Sequence, residues 1–185
     1  MTTATVPDKF IRTPLTEETI DAILTVYVDA RAEFQHLEHY QLPRMRTQLL
    51  RHAQRPGCVA TVAWQRENPV GYAYGCPLGP DNTWWPRAYP PPPTDITRED
   101  GQRTFRIDEI AILTSWRGTG TARKIHDHLL SGWTGRATLM VSPLAGNGKV
   151  QAVYEEWGYV PVAHAQPQNT SPVLTVMIRP GQKTA

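Results

Sequence analysis

Arg117-Gly118-Thr119-Gly120-Thr121-Ala122 is the stretch of sequence that decides the fold. It follows Phe105 to Leu113, whose extended pattern predicts a strand, and it precedes apolar residues at helical spacing. A strand that enters a helix through such a turn leaves unpaired backbone N–H groups at the helix N-terminus, where the helix dipole also favours an anion. The turn is therefore predicted to bind a phosphate-like group, with Thr119 and Thr121 as further hydroxyl donors.

Two better-known phosphate motifs do not fit this turn. The Walker motif needs a Lys followed by Ser or Thr, and the dinucleotide fingerprint needs a third Gly and an acidic residue on a parallel neighbouring strand. Short Gly-containing turns also occur for steric reasons alone. Spacing by itself therefore leaves an anion site and a plain structural turn equally open.

The bulk properties favour one compact domain spanning residues 1–185. The 19 basic and 17 acidic residues form no cluster of one sign, which argues against nucleic acid as a partner. The sequence has no apolar run that could span a bilayer and no leader pattern at its start, so we expect a cytoplasmic protein without a membrane partner. Cys58 and Cys76 form no metal-ligand pair, and we expect two reduced, partly buried thiols.

The remaining residues predict a mixed α/β (α+β) order of helix, helix, three strands, helix, strand, helix and two strands. Thr16 is the predicted N-cap of a first helix that ends near Phe34, and Pro43 begins a second helix that ends near Gln54. The other predicted elements are strands at Cys58–Trp64, Val70–Cys76, Ala137–Val141, Tyr159–Ala163 and Val173–Ile178, and a helix at Gly148–Trp157 with an apolar stripe. Residues 1–10 are predicted to be a flexible tail and residues 81–103 a Trp- and Pro-rich insertion.

The glycine-rich turn from Arg117 to Ala122 also matches the sequence signature of a known protein family. The chain resembles the GNAT superfamily of acyl-coenzyme A-dependent N-acyltransferases, whose signature Arg/Gln-x-x-Gly-x-Gly/Ala is matched by Arg117, Gly120 and Ala122. Downstream, the family's Asn, Tyr, Gly and aromatic residue are matched at the same separations by Asn147, Tyr154, Gly158 and Tyr159. The family's frequent Ala three residues after the Asn is Val150 here, and the order of elements matches from Thr16 to Ile178.

The resemblance implies a mainly antiparallel sheet of six to seven strands flanked by about four helices. The sheet is expected to splay between the family's fourth strand, here Phe105–Leu113, and its fifth strand, here Ala137–Val141. It further implies that acetyl-coenzyme A places its pyrophosphate on Arg117–Ala122, with Asn147 as another cofactor contact. The pantetheine arm is expected to pair with the fourth strand, at Ile110, Ala111, Ile112 and Leu113, and the Ile110 amide is the best candidate to polarise the thioester carbonyl.

The resemblance implies acid–base chemistry as well. Tyr154 holds the position from which relatives protonate the departing thiolate, although a buried structural tyrosine is the plain alternative. Asp108 and Glu109 are nearly equal candidates for the base, and strand alternation is expected to send them to opposite faces. The position two residues before Asp108, where relatives often carry a carboxylate, is Arg106, and a base acting through water is a third alternative.

The insertion lies on the expected acceptor side. We expect it to form a lid or wall of the acceptor pocket with Trp84, Trp85 or Tyr89 on the substrate, or else to cover a core edge or a subunit interface. No metal site is predicted, because His126 and His128 diverge on a helix.

The sequence thus predicts an N-acetyltransferase that moves an acetyl group to a primary amine of a small molecule by direct attack. A noncatalytic acyl-coenzyme A-binding module and an enzyme that acetylates a protein N-terminus or lysine are the alternatives. The acceptor, the acyl chain length and the oligomeric state, with a homodimer as one option, stay open.

Overall fold

The computed structural model describes residues 6–167 and 171–181. Its strands form an eight-stranded sheet in the order β1-β2-β3-β5-β6-β8-β7-β4. The strands are β1 Lys9–Pro14, β2 Val59–Gln65, β3 Asn68–Pro77, β4 Ala88–Tyr89, β5 Thr104–Ile112, β6 Arg136–Val141, β7 Val160–Ala165 and β8 Leu174–Arg179. The α-helices are α1 Glu17–Ala30, α2 Leu42–Ala53, α3 Thr94–Thr97, α4 Thr121–Leu129 and α5 Lys149–Glu156.

The predicted fold class is confirmed. The ladders β1–β2, β2–β3, β4–β7, β6–β8 and β7–β8 are antiparallel, whereas β5 and β6 are parallel. The parallel ladder covers three residue pairs, from Thr104↔Arg136 to Arg106↔Thr138, although both strands continue beyond it. This early end of the ladder is the splay that the resemblance implied.

The sheet has two strands more than the sequence order indicated, and each was missed for a physical reason. β1 is an edge strand of mixed polarity with no buried residue, so it lacks the alternation that marks a half-buried strand. Residues 1–5 of the predicted tail lie outside the described residues, but residues 9 and 10 belong to this strand. β4 is two residues long and ends before Pro90 at the opposite edge, where proline is tolerated.

The helices follow the sequence signals closely at their starts and less well at their ends. The Thr16 side chain accepts a hydrogen bond from the Thr19 amide at 3.2 Å, which confirms the predicted cap. α1 ends at Ala30 rather than near Phe34, because the chain continues as a short 3-10 turn. The apolar residues of α5 do not form a buried stripe: none of the helix residues is buried, and Val150 and Val153 are 38% and 39% exposed.

Among the described helices, none is long and apolar enough to cross a bilayer.

The chain divides into two compact units, each with its own core. The first unit comprises the chain up to Cys76 together with Asp108–Ser131. In it, α1 and α2 pack on one face of the sheet over Tyr72 and Tyr74, both 0% exposed. The second unit comprises Pro77–Ile107 and the chain from Gly132 onward, and Trp85, Val176 and Ile178 belong to its core.

The cysteines differ from the sequence prediction. Cys58 and Cys76 form a disulfide, with their Cα atoms 4.1 Å apart, and are not two free thiols. The β2–β3 register, in which Val59 lies opposite Gly75, continues by one residue to set these two cysteines opposite each other. The spacing of the two cysteines in the sequence does not predict the disulfide, because the register of the hairpin decides which residues lie opposite each other.

Candidate functional site

The glycine-rich turn of the first unit has the geometry of an anion cradle. Gly118 and Gly120 adopt positive φ angles of 74° and 78°, and Gly120 is the N-cap of the nine-residue helix α4 without a side-chain cap. The first hydrogen bond of the helix runs from the Lys124 amide to the Gly120 carbonyl, at 3.2 Å. The amides of Thr121 and Ala122 precede this bond and, like the first N–H groups of any helix, are directed at the helix N-terminus.

The threonine hydroxyls of the turn form hydrogen bonds within it. The Thr119 hydroxyl donates to the Trp116 carbonyl at 2.7 Å and lies 2.7 Å from the Thr121 hydroxyl. Since Thr119 uses its proton on the carbonyl, it accepts from Thr121, which is 1% exposed. Both hydroxyl protons are then engaged within the turn, and the role of these hydroxyls as donors to a phosphate stays a prediction.

Three cationic side chains lie on the turn or just after it. Arg117, Arg123 and Lys124 are exposed, and Arg123 also pairs with Asp127 at 2.8 Å. An open cleft of about 230 Å³ lies beside Arg117, lined by Asp29, Ala30, Ala32, Glu33, Thr114 and Arg117. The turn thus combines directed amides with exposed cations, which is the chemistry that a pyrophosphate requires.

Close packing fixes α4, and with it the turn. A Cβ atom on Gly71 of β3 would lie 2.9 Å from Ile125 Cδ1 and 3.2 Å from the Ala111 carbonyl oxygen. Glycine at this position therefore lets the helix and strand β5 approach β3 closely. Ile125, 0% exposed, is one of the residues whose helical spacing the sequence shows.

The two adjacent carboxylates of β5 lie toward the same side of the sheet, which corrects the expectation from strand alternation. Glu109 accepts from Arg31 at the end of α1 and lies beside Tyr72, while an Asp108 oxygen is 3.9 Å from His52 Nδ1 on α2. Because α1, α2 and Tyr72 line one face of this sheet, both carboxylates are directed to that face. Regular alternation is thus interrupted between the two residues, as happens at a bulge.

Glu109 is part of a partly buried ionic network. Arg31 donates to the same Glu109 oxygen from Nε at 3.1 Å and from Nη2 at 3.0 Å. Burial opposes the charge of Arg31, yet Glu109 raises the net pKa of its guanidinium above the ordinary value. Burial, reinforced by the charge of Glu109, likewise raises the pKa of Tyr72 well above its usual value. This carboxylate is held by structural partners.

Asp108 has different neighbours. It lies beside His52, which is 7% exposed, and close to the disulfide sulfur of Cys76. Neither His52 nor Arg31 was singled out from the sequence. Both stand on predicted helices or at their ends, but the pairing of each with a carboxylate far along the chain depends on how the helices seat on the sheet.

The downstream motif residues belong to the second unit. Asn147 is exposed with φ 56°, between Gly146 and Gly148, which also have positive φ. Asn tolerates this left-handed conformation better than most residues, so the backbone alone accounts for it. Tyr154 is half-buried on α5 and packs edge-to-face on Trp157 and Tyr159, with centroid distances of 5.4 and 5.9 Å.

The Trp- and Pro-rich segment builds part of the second unit's core and sheet edge. Trp85 is 4% exposed, and its indole N–H donates to Glu99 at 2.8 Å, so it has no ring face for a substrate. Ala88 and Tyr89 pair with Ala165 and His164 of β7. Trp85 therefore fits the alternative in which the segment covers a core edge. A lid over the acceptor pocket does not describe the buried position of this side chain.

Two aromatic side chains of this segment keep accessible surface. Tyr89 is 76% exposed. Trp84 is half-buried, donates to the Thr138 hydroxyl at 3.2 Å and carries the Arg106 guanidinium 5.6 Å from its ring centroid.

Comparison with solved structures identifies the fold. A putative GNAT-family acetyltransferase from Desulfovibrio desulfuricans is 14% identical, with a TM-score of 0.65 over 93% of this chain and 98% of that one. The ribosomal-protein-S18-alanine N-acetyltransferase from Escherichia coli is 13% identical, with a TM-score of 0.64 over 96% and 97%. The PaiA N-acetyltransferase from Thermoplasma acidophilum, solved in complex with coenzyme A, is 9% identical, with a TM-score of 0.58 over 93% and 99%.

The chain therefore has the fold of GNAT acetyltransferases, as the resemblance of its motifs implied. Neither a protein-family model nor a curated protein sequence matches it. At sequence identities of 9–14%, the similarity to these structures shows a shared fold.

Proposed function

We propose that this protein is an N-acetyltransferase that moves the acetyl group of acetyl-coenzyme A to a primary amine of a small molecule. The observation that carries the proposal is the turn at the start of α4, which has two left-handed glycines and places the first amides of the helix at its N-terminus. It occurs in a chain with the fold of GNAT acetyltransferases, and one structural neighbour, the PaiA N-acetyltransferase, was solved with coenzyme A.

In this proposal the chain holds the donor by its backbone. The amides at Arg117–Ala122 bind the pyrophosphate, and the main chain of Ile110, Ala111, Ile112 and Leu113 pairs with the pantetheine arm. The β5–β6 ladder ends at Arg106, so the four residues proposed to pair with the pantetheine arm lie beyond it. Their position outside that ladder supports the proposed pairing. The Ile110 amide polarises the thioester carbonyl, and Asn147 adds a contact on the resemblance alone.

The transfer itself needs two protein groups. A base accepts a proton from the amine as its nitrogen bonds to the carbonyl carbon, and an acid donates a proton to the thiolate as the carbon–sulfur bond breaks. We propose Asp108 as the base and Tyr154 as the acid. Glu109 is the second candidate for the base, although Arg31 and Tyr72 engage its carboxylate. Trp84 and Tyr89 stay candidate acceptor contacts, whereas Trp85 does not.

Release of coenzyme A thiol tests the function. The full chain is incubated with acetyl-coenzyme A and separate panels of small primary amines, peptides with free N-termini and lysine peptides. We expect thiol release above background with a small amine and the mass of its acetylated product. Release with peptides alone would move the acceptor to proteins, and tight binding without release in any panel would identify a noncatalytic module.

A paired substitution on β5 separates the two carboxylates. We expect Asp108→Asn to lower kcat by at least about tenfold, because the base is lost. We expect Glu109→Gln to lower the free energy of unfolding by about 1–3 kcal/mol, because Arg31 loses its charged acceptor. Steady-state kinetics and urea denaturation of both variants provide the readouts. Full activity in Asp108→Asn together with a large loss of kcat in folded Glu109→Gln would reverse the assignment.

A further inference from the structure

Four side chains with metal-binding chemistry meet in the first unit, away from the glycine-rich turn. A ring nitrogen of His52, the Cys76 sulfur and a carboxylate oxygen of Asp108 all lie within 4.8 Å of one another. The fourth is Cys58, which is bonded to Cys76. They come from the last turn of α2, the residue before β2, and strands β3 and β5.

Three of the four residues are buried, and Asp108 is partly buried. His52 is 7% exposed, and Cys58 and Cys76 are 6% and 2% exposed. The Asp108 side chain is 11% exposed. All four stand on or beside regular elements rather than on long loops, so their positions are fixed by packing, as a binding site requires.

The geometry is close to that of a tetrahedral site. Zinc bonds of about 2.0–2.3 Å to sulfur, nitrogen and oxygen place neighbouring ligand atoms roughly 3.3–3.8 Å apart. The three donor atoms measured here, within 4.8 Å, need to contract by about 1 Å. Cys58 lies opposite Cys76 across two paired strands, so rotation of its side chain brings a second sulfur to the same point.

We propose that reduction of the Cys58–Cys76 disulfide creates a Zn²⁺ site whose ligands are Cys58, Cys76, His52 and Asp108. In the structure the two sulfurs are bonded to each other, so the geometry corresponds to the oxidised, metal-free form. Two thiolates and an imidazole select a borderline-soft cation over Mg²⁺ or Ca²⁺, which take oxygen ligands.

A dithiol can reduce the Cys58–Cys76 disulfide to the two thiols that the metal site needs. A dithiol donates two electrons to the disulfide, becomes a disulfide itself, and transfers its two protons to the cysteine sulfurs. Binding of the divalent metal then releases these two protons as both cysteines become thiolates. In the reverse direction the two thiolates pass two electrons to an oxidised dithiol, which takes up two protons and becomes two thiols, and the re-formed Cys58–Cys76 disulfide releases the metal.

Spectroscopy of the unmodified full chain with Co²⁺ tests the proposal directly. The protein is reduced with a phosphine, which becomes its oxide as water supplies the oxygen and two protons. After removal of the phosphine under nitrogen it is titrated with Co²⁺. We expect a thiolate-to-cobalt charge-transfer band and the intense visible bands of tetrahedral Co²⁺, saturating at one equivalent and displaced by Zn²⁺. The oxidised chain should show neither band. No such bands in the reduced, folded chain would overturn the proposal.

A matched pair of histidine variants identifies the ligand set. We expect His52→Ala to weaken Zn²⁺ binding by at least about tenfold in competition with a chelating dye. His36→Ala, which removes an exposed histidine of the same unit, should bind like the unmodified chain. Equal affinity of both variants would remove His52 from the site. Cys58→Ser and Cys76→Ser should each weaken the charge-transfer band, and circular dichroism establishes that each variant is folded.

The metal site and the proposed base share Asp108, so Zn²⁺ binding and the use of this carboxylate as base exclude each other. Metal binding itself does not depend on acetyl transfer. Its readouts are metal stoichiometry and thiolate absorption, so a chain that releases no thiol from acetyl-coenzyme A can still bind Zn²⁺ when reduced. Conversely, an active enzyme that binds no metal in its reduced form would refute the metal site alone.

Discussion

Replacement of Gly120 by aspartate is expected to raise the KM for acetyl-coenzyme A by about 100-fold with a much smaller change in kcat. The new carboxylate would lie at the N-cap of α4, where we propose that the pyrophosphate binds. Two unit charges about 4 Å apart near a protein surface repel by about 4 kcal/mol. Screening at this exposed turn reduces that value, and about 2.7 kcal/mol corresponds to 100-fold.

The chain provides a matched control for this substitution. Gly132 has φ 76° against 78° for Gly120, and at neither position would a Cβ meet another atom within 4 Å. Gly132→Asp therefore imposes similar backbone strain, about 1 kcal/mol, away from the proposed cofactor turn. We expect it to leave the KM for acetyl-coenzyme A unchanged. Initial rates and calorimetric titration measure the effect, and equal losses in the two variants would mean that strain, not anion binding, explains it.

Replacement of Tyr154 by phenylalanine is expected to lower kcat by more than about tenfold, because the departing thiolate loses its proton donor. The half-buried ring packs edge-to-face on Trp157 and Tyr159, and phenylalanine preserves these contacts. The KM for acetyl-coenzyme A and the melting temperature should therefore change little. Rapid-mixing measurement of thiol release under saturating donor and acceptor gives the chemical step.

Tyr159→Phe removes a hydroxyl from the neighbouring ring and serves as the comparison. It should retain more activity than Tyr154→Phe, since its hydroxyl has no proposed role in proton transfer. If Tyr154→Phe turns over at a near-normal rate, Tyr154 is a packing residue of its helix and another donor must be sought. If both variants lose activity together, the aromatic cluster as a whole is required.

The outcome for Asp108 and Glu109 shows where sequence reasoning reaches its limit. Their adjacency and the strand around them were predictable, because the extended pattern is local. Strand alternation then predicted opposite faces, which is wrong because the alternation is interrupted at this point. An interruption of this kind depends on what packs on both sides of the strand, and the local pattern does not record it.

Trp85 and the cysteines illustrate the same limit. A Trp in a Pro-rich stretch is compatible with a substrate wall or with a core. Trp85 is a core residue because it lies in the buried cluster that includes Val176 and Ile178 and its indole N–H donates to Glu99. Two cysteines in a hairpin are compatible with free thiols or a disulfide, and the β2–β3 register brought them together.

By itself, the sequence determined the glycine-rich turn between strand and helix, the capped helix at Thr16 and the mixed α/β class. These depend on backbone conformation and hydrophobic period, which are properties of consecutive residues. Only the tertiary structure decided that Arg31 holds Glu109 and that His52, Asp108 and the two disulfide-bonded cysteines lie together. Such contacts join residues far apart in the chain, and the seating of helices on the sheet fixes them.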